Sequence, residues 1–330
     1  MSNNNKNVGF WGYWYGKNFG DIWIKNSIDK KFSSEFNLNF IMVTQNDINE
    51  MKNKYKLDYF VIGGGGLING PLLRDPFNKK IPIKYSTIGL GGEIDILEKN
   101  KLSKFINNSD LFGVRDSYNL LNYSNNAQIS GDCTFLYPLK VKEDINLDRM
   151  NIKIVWRDPH SLLKWDKSKF HMHDGLVLND IFLDYILGNS DTLLSNEIYL
   201  NKLNNLLKPF NTNFNDLQIK EVNDEFIYEE FKDIDLVIGM RYHSIVASIQ
   251  LGIPVIAISI YQKVETLMND CELSDFCIKI NELDKIPTII KNIKVNYKNI
   301  RDKMLKYTKN NEKIINDYSE KLIQTIKNTN

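Results

Sequence analysis

In GMRYHSIVASIQLGIP, residues 239–254, an apolar run opens abruptly onto Arg241, Tyr242 and His243, followed by a helical pattern that Gly252 and Pro254 close. If residues 241–243 are extended, alternation puts the Arg241 guanidinium and the His243 imidazole on one side of the chain. Ser244 then starts the helix. Guanidinium, imidazole and helix amino end would together suit a small dianion or trianion. Arginine grips a carboxylate or phosphate through paired hydrogen bonds, and an imidazole takes up or gives a proton near neutral pH. The plainer reading of His243 is a hydrogen-bonded structural histidine.

Other chemistry-bearing residues also follow apolar runs. Arg115 and Asp116 end LFGVRD, and Arg157 and His160 follow IKIVWR. Tyr13, Trp14, Tyr15, Asn18 and Asp21 follow VGFWG. Asp21 could orient an acceptor hydroxyl or cap a helix, and Arg115 could clamp an anion or pair with a surface carboxylate. The run Gly63 to Gly66 is either a backbone cradle for phosphate or a tight turn under a crossing helix. It lacks the spacing of a P-loop or a dinucleotide fingerprint. The aromatics Trp11, Tyr13, Trp14, Tyr15 and Trp23 serve either sugar stacking or core packing. His171 and His173 share a face if extended, but no third ligand stands at a recognisable spacing, so no metal is expected.

The elements that must position these residues are short β-rich runs alternating with helical patterns. The runs are VGFWGY, NFIMVT, DYFVIGG, YSTIGL and LFGVRD, then IKIVWR, LQIKEV, DLVIGM, PVIAIS and FCIKI. Unbroken apolar runs read as strands buried on both faces, and the alternation predicts α/β architecture with doubly wound parallel sheets. Ligands in such sheets gather beyond the strands' carboxyl ends, where these residues lie. At 330 residues the chain predicts two Rossmann-like domains, 1–145 and 146–330, joined where periodicity lapses near 140–150. Residues 298–327 carry Met304, Tyr307, Ile315, Tyr318, Leu322 and Ile326 at helical spacing. They predict an amphipathic helix packed back on the protein, with weak membrane-surface association as the lesser reading.

Apolar and charged fractions of 42% and 25% describe a globular chain, and a net charge of +1 gives no reason to expect nucleic acid. No apolar run approaches a membrane span, MSNNNKN lacks a signal peptide's apolar core, and three scattered cysteines fit a reducing cytosol. A cytoplasmic protein is expected.

The motifs GYWYGKNFGD, VIGGGGLI, GVRDSYNLL, SGDCTFLYP, IKIVWR and GMRYHSIVASIQLGIPVIAISIYQK occur in that order. Together they resemble the polysaccharide pyruvyl transferase family, over about Val8 to Lys263. The resemblance implies a glycosyltransferase-B-like fold with two domains facing a cleft. It also implies transfer of the enolpyruvyl group of phosphoenolpyruvate onto sugar hydroxyls as a ketal. Arg115, Arg241 and His243 fall on positions expected to hold that donor, with Tyr242, Ser244, Lys263, Gly64 and Gly65 nearby. His243 would handle the proton, Arg241 would clamp the donor, and Asp21 would act on the acceptor. Tyr13, Tyr15, Asn18, Arg157 and His160 would line the acceptor side, for a sugar or lipid-linked oligosaccharide at the inner membrane face. No cofactor is expected beyond phosphoenolpyruvate as co-substrate. GLGGEID replaces the family's G-x-G-I-G-P, introducing Glu93, and Ile22 follows Asp21 where an acidic residue is common.

Two rival readings share the architecture. A nucleotide-sugar glycosyltransferase would hold its donor ribose with two glutamates eight residues apart. Glu221 and Glu229 have that spacing but precede their strand. A non-catalytic family member is the other.

Overall fold

The computed structural model describes residues 6–14, 18–45, 47–68, 81–92, 105–118, 126–155, 203, 205–207, 211–213, 224–259 and 261–329. Their contacts divide them into two units. The first draws on residues 1–16, 20–138 and 309–330, and the second on 17–19 and 139–308.

The first unit is a six-stranded parallel sheet of β1 (Asn7–Gly12), β2 (Asn37–Met42), β3 (Tyr59–Gly65), β4 (Tyr85–Leu90), β5 (Leu111–Val114) and β6 (Ala127–Ile129). Its order is β2-β1-β3-β4-β5-β6. Every residue of β3 and β4 is buried, as their apolar runs require, whereas edge strands β2 and β6 are largely half-buried. The helices α1 (Phe19–Phe32) and α2 (Ile48–Tyr55) follow β1 and β2. Trp11, Phe60, Ile62, Leu90 and Phe112 are among the residues of the core.

The second unit is a five-stranded parallel sheet of β7 (Asn151–Val155), β8 (Asn211–Asn213), β9 (Leu236–Gly239), β10 (Val255–Ser259) and β11 (Cys277–Lys279), ordered β11-β10-β9-β7-β8. The helices are α3 (Asp224–Phe231), α4 (Tyr242–Leu251), α5 (Gln262–Asp270) and α6 (Ile286–Asn328). Each sheet reverses its winding once, between β1 and β3 and between β7 and β9. Such a switch point opens a crevice at the strands' carboxyl ends. LQIKEV lies outside the described residues. The short strands β6 and β8 (AQI and NTN) carry no apolar run and are recognisable only by their pairing.

The terminal helix α6 starts twelve residues before the predicted 298 and bends at Asn296, which is non-helical. Its last part docks on the first sheet. The Tyr318 hydroxyl donates to the Thr87 carbonyl at 2.7 Å, and a Cβ at Gly113 would lie 2.5 Å from the Tyr318 ring. A side chain at 113 would therefore push the helix off the strand.

The join into β7 is held by Asp235, which is 4% exposed. Its carboxylate accepts from the amides of Asn146 (2.8 Å) and Asn151 (2.9 Å) and from Lys142 Nζ at 3.4 Å. Asp235→Ala strands two amides and leaves the buried Lys142 ammonium with the Asp144 carbonyl but no carboxylate, so a loss of about 3 kcal/mol is expected. Urea unfolding of the full chain checks this, with Asp235→Asn losing less because its amide keeps one acceptor.

Candidate active site

The switch point of the second sheet is built from β9 and the start of α4. The Met240 amide extends the ladder to the Val155 carbonyl at 2.9 Å. Arg241 caps the helix with extended backbone (φ −90°, ψ 127°), and Gly252 ends it at φ 71°. The helix begins at Tyr242, so His243 lies in its first turn rather than in an extended segment led into a helix at Ser244. The reason is local packing. The Arg241 carbonyl accepts from both Ser244 Oγ (2.7 Å) and the Ile245 amide (3.2 Å). Gly239 leaves room for that tight winding, since a Cβ there would lie 3.1 Å from Ser244 Oγ.

Tyr242 and Ser244 are buried while Arg241 and His243 are half-buried, with Arg241 Nε and His243 Nε2 on the buried part of their side chains. The amides of the first turn precede the helical ladder and carry the positive end of the helix dipole, and no acidic side chain stands among them to offset it.

The next strand exit adds a cation. Lys263, in the first turn of α5, sits 5.9 Å from the Tyr242 ring centre and 5.4 Å from that of Tyr261. The His243 ring meets Tyr242 edge-on at 5.1 Å, so Tyr242 touches both groups. Thus the structure brings together Arg241, Tyr242, His243, Ser244 and Lys263. Beyond them Ser259 donates to Glu265 at 2.7 Å, and Lys279, paired in register with Ser259 at the end of β11, bonds the same carboxylate. That bond holds the Glu265 carboxyl below the usual carboxylate range. The sequence reading passed over Lys279, although it stands at the exit of FCIKI.

In the first unit, Asp21 lies in the opening turn of α1, 6% exposed. Its Oδ1 is 3.2 Å from where a Cβ on Gly65 would be. Gly64 and Gly65 have φ of 77° and 94°. A Cβ on Gly64 would lie 2.4 Å from Ile24 and 3.1 Å from Trp14. These two glycines therefore give the backbone its left-handed turn and let α1 approach β3, the tight-turn reading of the run. Trp11, Trp14 and Trp23 are buried, and Trp14 Nε1 donates to the Phe10 carbonyl at 2.7 Å. Core packing claims these rings, while Tyr13 is half-buried against the core. Asn18, also half-buried, directly precedes α1.

Arg115 leaves β5 buried, and its Nε donates to Asp116 at 3.0 Å. The pairing with a carboxylate is therefore internal and not at the surface. The guanidinium lies on the backbone of Gly91, where a Cβ would come within 2.7 Å of Arg115 Cζ. The Gly91 amide donates to the Gly65 carbonyl at 2.9 Å. Asp21, Gly65, Gly91 and Arg115 thus form one row across the carboxyl edge of this sheet. Tyr15, Arg157, His160, His171, His173 and Glu93 lie outside the described residues. Among the described residues no group of three ligating side chains could hold a metal, and no helix is long and apolar enough to cross a membrane.

Solved structures share this architecture at low identity. A UDP-GlcNAc 2-epimerase from Neisseria meningitidis, bound to UDP-GlcNAc, is 10% identical with a TM-score of 0.52, covering 97% of this chain and 100% of that one. A structure from Listeria monocytogenes described as a candidate UDP-N-acetylglucosamine 2-epimerase is 11% identical with a TM-score of 0.55, over 99% and 98%. These likenesses show the fold: two doubly wound parallel sheets of the glycosyltransferase-B kind. Among curated proteins no sequence matches. The sequence model of polysaccharide pyruvyl transferases matches residues 18–261, a span that holds Asn18, Asp21, Gly65, Arg115, Arg241 and His243 but neither Tyr13 nor Lys263, and the chain belongs to that family.

Proposed function

We propose that the chain transfers the enolpyruvyl group of phosphoenolpyruvate onto two hydroxyls of a sugar as a ketal, in the synthesis of a cell-surface glycan. The observation that carries this reading is the placing of Arg241 and His243 at the opening turn of α4, with Lys263 over the ring of Tyr242, which lies between them in sequence. Phosphoenolpyruvate is nearly all anionic surface, with a carboxylate and a phosphate on three carbons. Arg241 and Lys263 supply cations, the helix amides add donors for phosphate, and Arg115 is assigned as a further donor-binding residue.

Protonation of the methylene carbon by the His243 imidazolium makes it a methyl group and leaves positive charge on the neighbouring carbon. A sugar hydroxyl attacks that carbon and gives up its proton, which restores the imidazolium. The carbon–oxygen bond to phosphate then breaks, inorganic phosphate departs, and a second hydroxyl closes the ketal, its proton leaving with the phosphate. The arginines favour the departing charge more than the ground state does, which is where stabilisation speeds the reaction. Asp21 orients the acceptor hydroxyl, with Tyr13, Tyr15, Asn18, Arg157 and His160 on the acceptor side. The acceptor is a sugar, free or lipid-linked, and the reaction runs in the cytoplasm without a metal.

Thermal unfolding of the full chain with phosphoenolpyruvate or UDP-GlcNAc separates this reading from a nucleotide-sugar transferase. Phosphoenolpyruvate at one hundred times its Kd is expected to stabilise the protein by about 2.7 kcal/mol, and UDP-GlcNAc not at all. Stabilisation by the nucleotide sugar alone would reverse the conclusion.

A further inference from the structure

Strand β4 carries one residue too many for its neighbour. Thr87 pairs with Phe112 and Leu90 with Val114, so three steps along β4 match two along β5. On the other side β4 stays in register with β3, pairing Ile88 with Gly63 and Leu90 with Gly65. The surplus is a bulge facing β5, centred on Gly89, whose φ of 59° suits glycine. Its amide turns away from the ladder and donates to Ser130 Oγ at 2.8 Å. The same hydroxyl donates to the Val114 carbonyl at 3.0 Å, and the Ser130 amide reaches that carbonyl at 2.7 Å. Ser130 is fully buried. It is a clasp from the end of β6 onto both partners of the bulge.

The bulge decides what lies against Arg115. With it, the Arg115 amide donates to the Leu90 carbonyl at 3.0 Å, and the guanidinium rests on Gly91. Without the extra residue β4 would slip by one position, and a slip of one turns every side chain to the opposite face. The bare backbone of Gly91 would then no longer meet the guanidinium.

We infer that Ser130 is a positioning residue, whose hydroxyl holds the β4 bulge that seats the Arg115 guanidinium on Gly91. The inference rests on the donor-binding role proposed for Arg115, and it adds a residue that contacts neither donor nor acceptor.

The test is a double-mutant cycle read by calorimetric binding of phosphoenolpyruvate to the full chain, which needs no acceptor. Ser130→Ala is expected to weaken binding about tenfold and Arg115→Ala at least tenfold. The double variant is expected to bind no more weakly than Arg115→Ala alone, because Ser130 acts through that guanidinium. Gly91→Ala tests the same seat independently, since its methyl occupies the guanidinium's place. It too should weaken binding and fall silent once Arg115 is alanine. If Ser130→Ala does not fold, Ser130→Cys, close to serine in size but a far weaker hydrogen-bonding group, takes its place in the cycle. Wild-type affinity in Ser130→Ala alongside weakened Arg115→Ala overturns the inference and leaves the donor reading intact. So does a double variant whose loss is the product of the two. Wild-type affinity in Arg115→Ala overturns the donor reading and this inference with it.

Discussion

His243→Ala is expected to lower turnover of phosphoenolpyruvate with a sugar acceptor by about 10²–10⁴-fold while the fold stays intact, the range a positioned general acid supplies. The fold should survive because bonds at both ends of α4 come from other residues. The Arg241 carbonyl holds the first turn through Ser244 Oγ and the Ile245 amide, and Gly252 holds the last through carbonyls 248 and 249. His243 is half-buried, and its ring meets Tyr242 edge-on. Phosphoenolpyruvate affinity should change far less than turnover, because the cations that hold the donor remain. Steady-state rates, calorimetric binding and a melting curve on the same preparation separate these quantities. A variant that keeps more than about a tenth of wild-type turnover excludes a single general acid at this position.

Much of the architecture was readable because burial on both faces leaves a plain mark on a strand. YFVIGGG and YSTIGL are buried throughout, and their runs predicted strands to within a residue or two. The exits of LFGVRD and DLVIGM singled out Arg115, Arg241 and His243 as candidates, whereas Lys263 came only from the family resemblance. The remainder depended on neighbours distant in sequence. Ser244 reads as a helix start because serine caps helices, yet the helix begins two residues earlier because Gly239 lets Ser244 fold back on Arg241. Four glycines in a row read equally as a phosphate loop or a crossing point. Ile24 and Trp14 against Gly64 are what a crossing helix requires, and only the tertiary structure brings them there. The tryptophans were divided between stacking and packing for the same reason. Ser130 had no local signature at all, since its work is done on a bulge in one strand from the end of another two positions along the sheet.

Arg241→Lys is expected to weaken phosphoenolpyruvate binding by about 10–100-fold, the loss of one charged hydrogen bond worth roughly 1.5–3 kcal/mol. A guanidinium offers two parallel donors to a carboxylate or phosphate, whereas an ammonium keeps the charge but is a single point. Lys263 already brings a positive charge over the Tyr242 ring, next in sequence to Arg241, so what Arg241 adds is the fork. The substitution spares the helix start, because position 241 acts there through its carbonyl and its extended backbone and not through its side chain. Melting temperature should therefore stay near that of the wild type. If the fork grips the donor equally in ground and transition states, KM rises while kcat holds. A fall in kcat as well would place Arg241 on the departing phosphate. Unchanged affinity for phosphoenolpyruvate would take Arg241 out of the donor clamp and leave Lys263 and the helix amides as the anion's partners in the second unit.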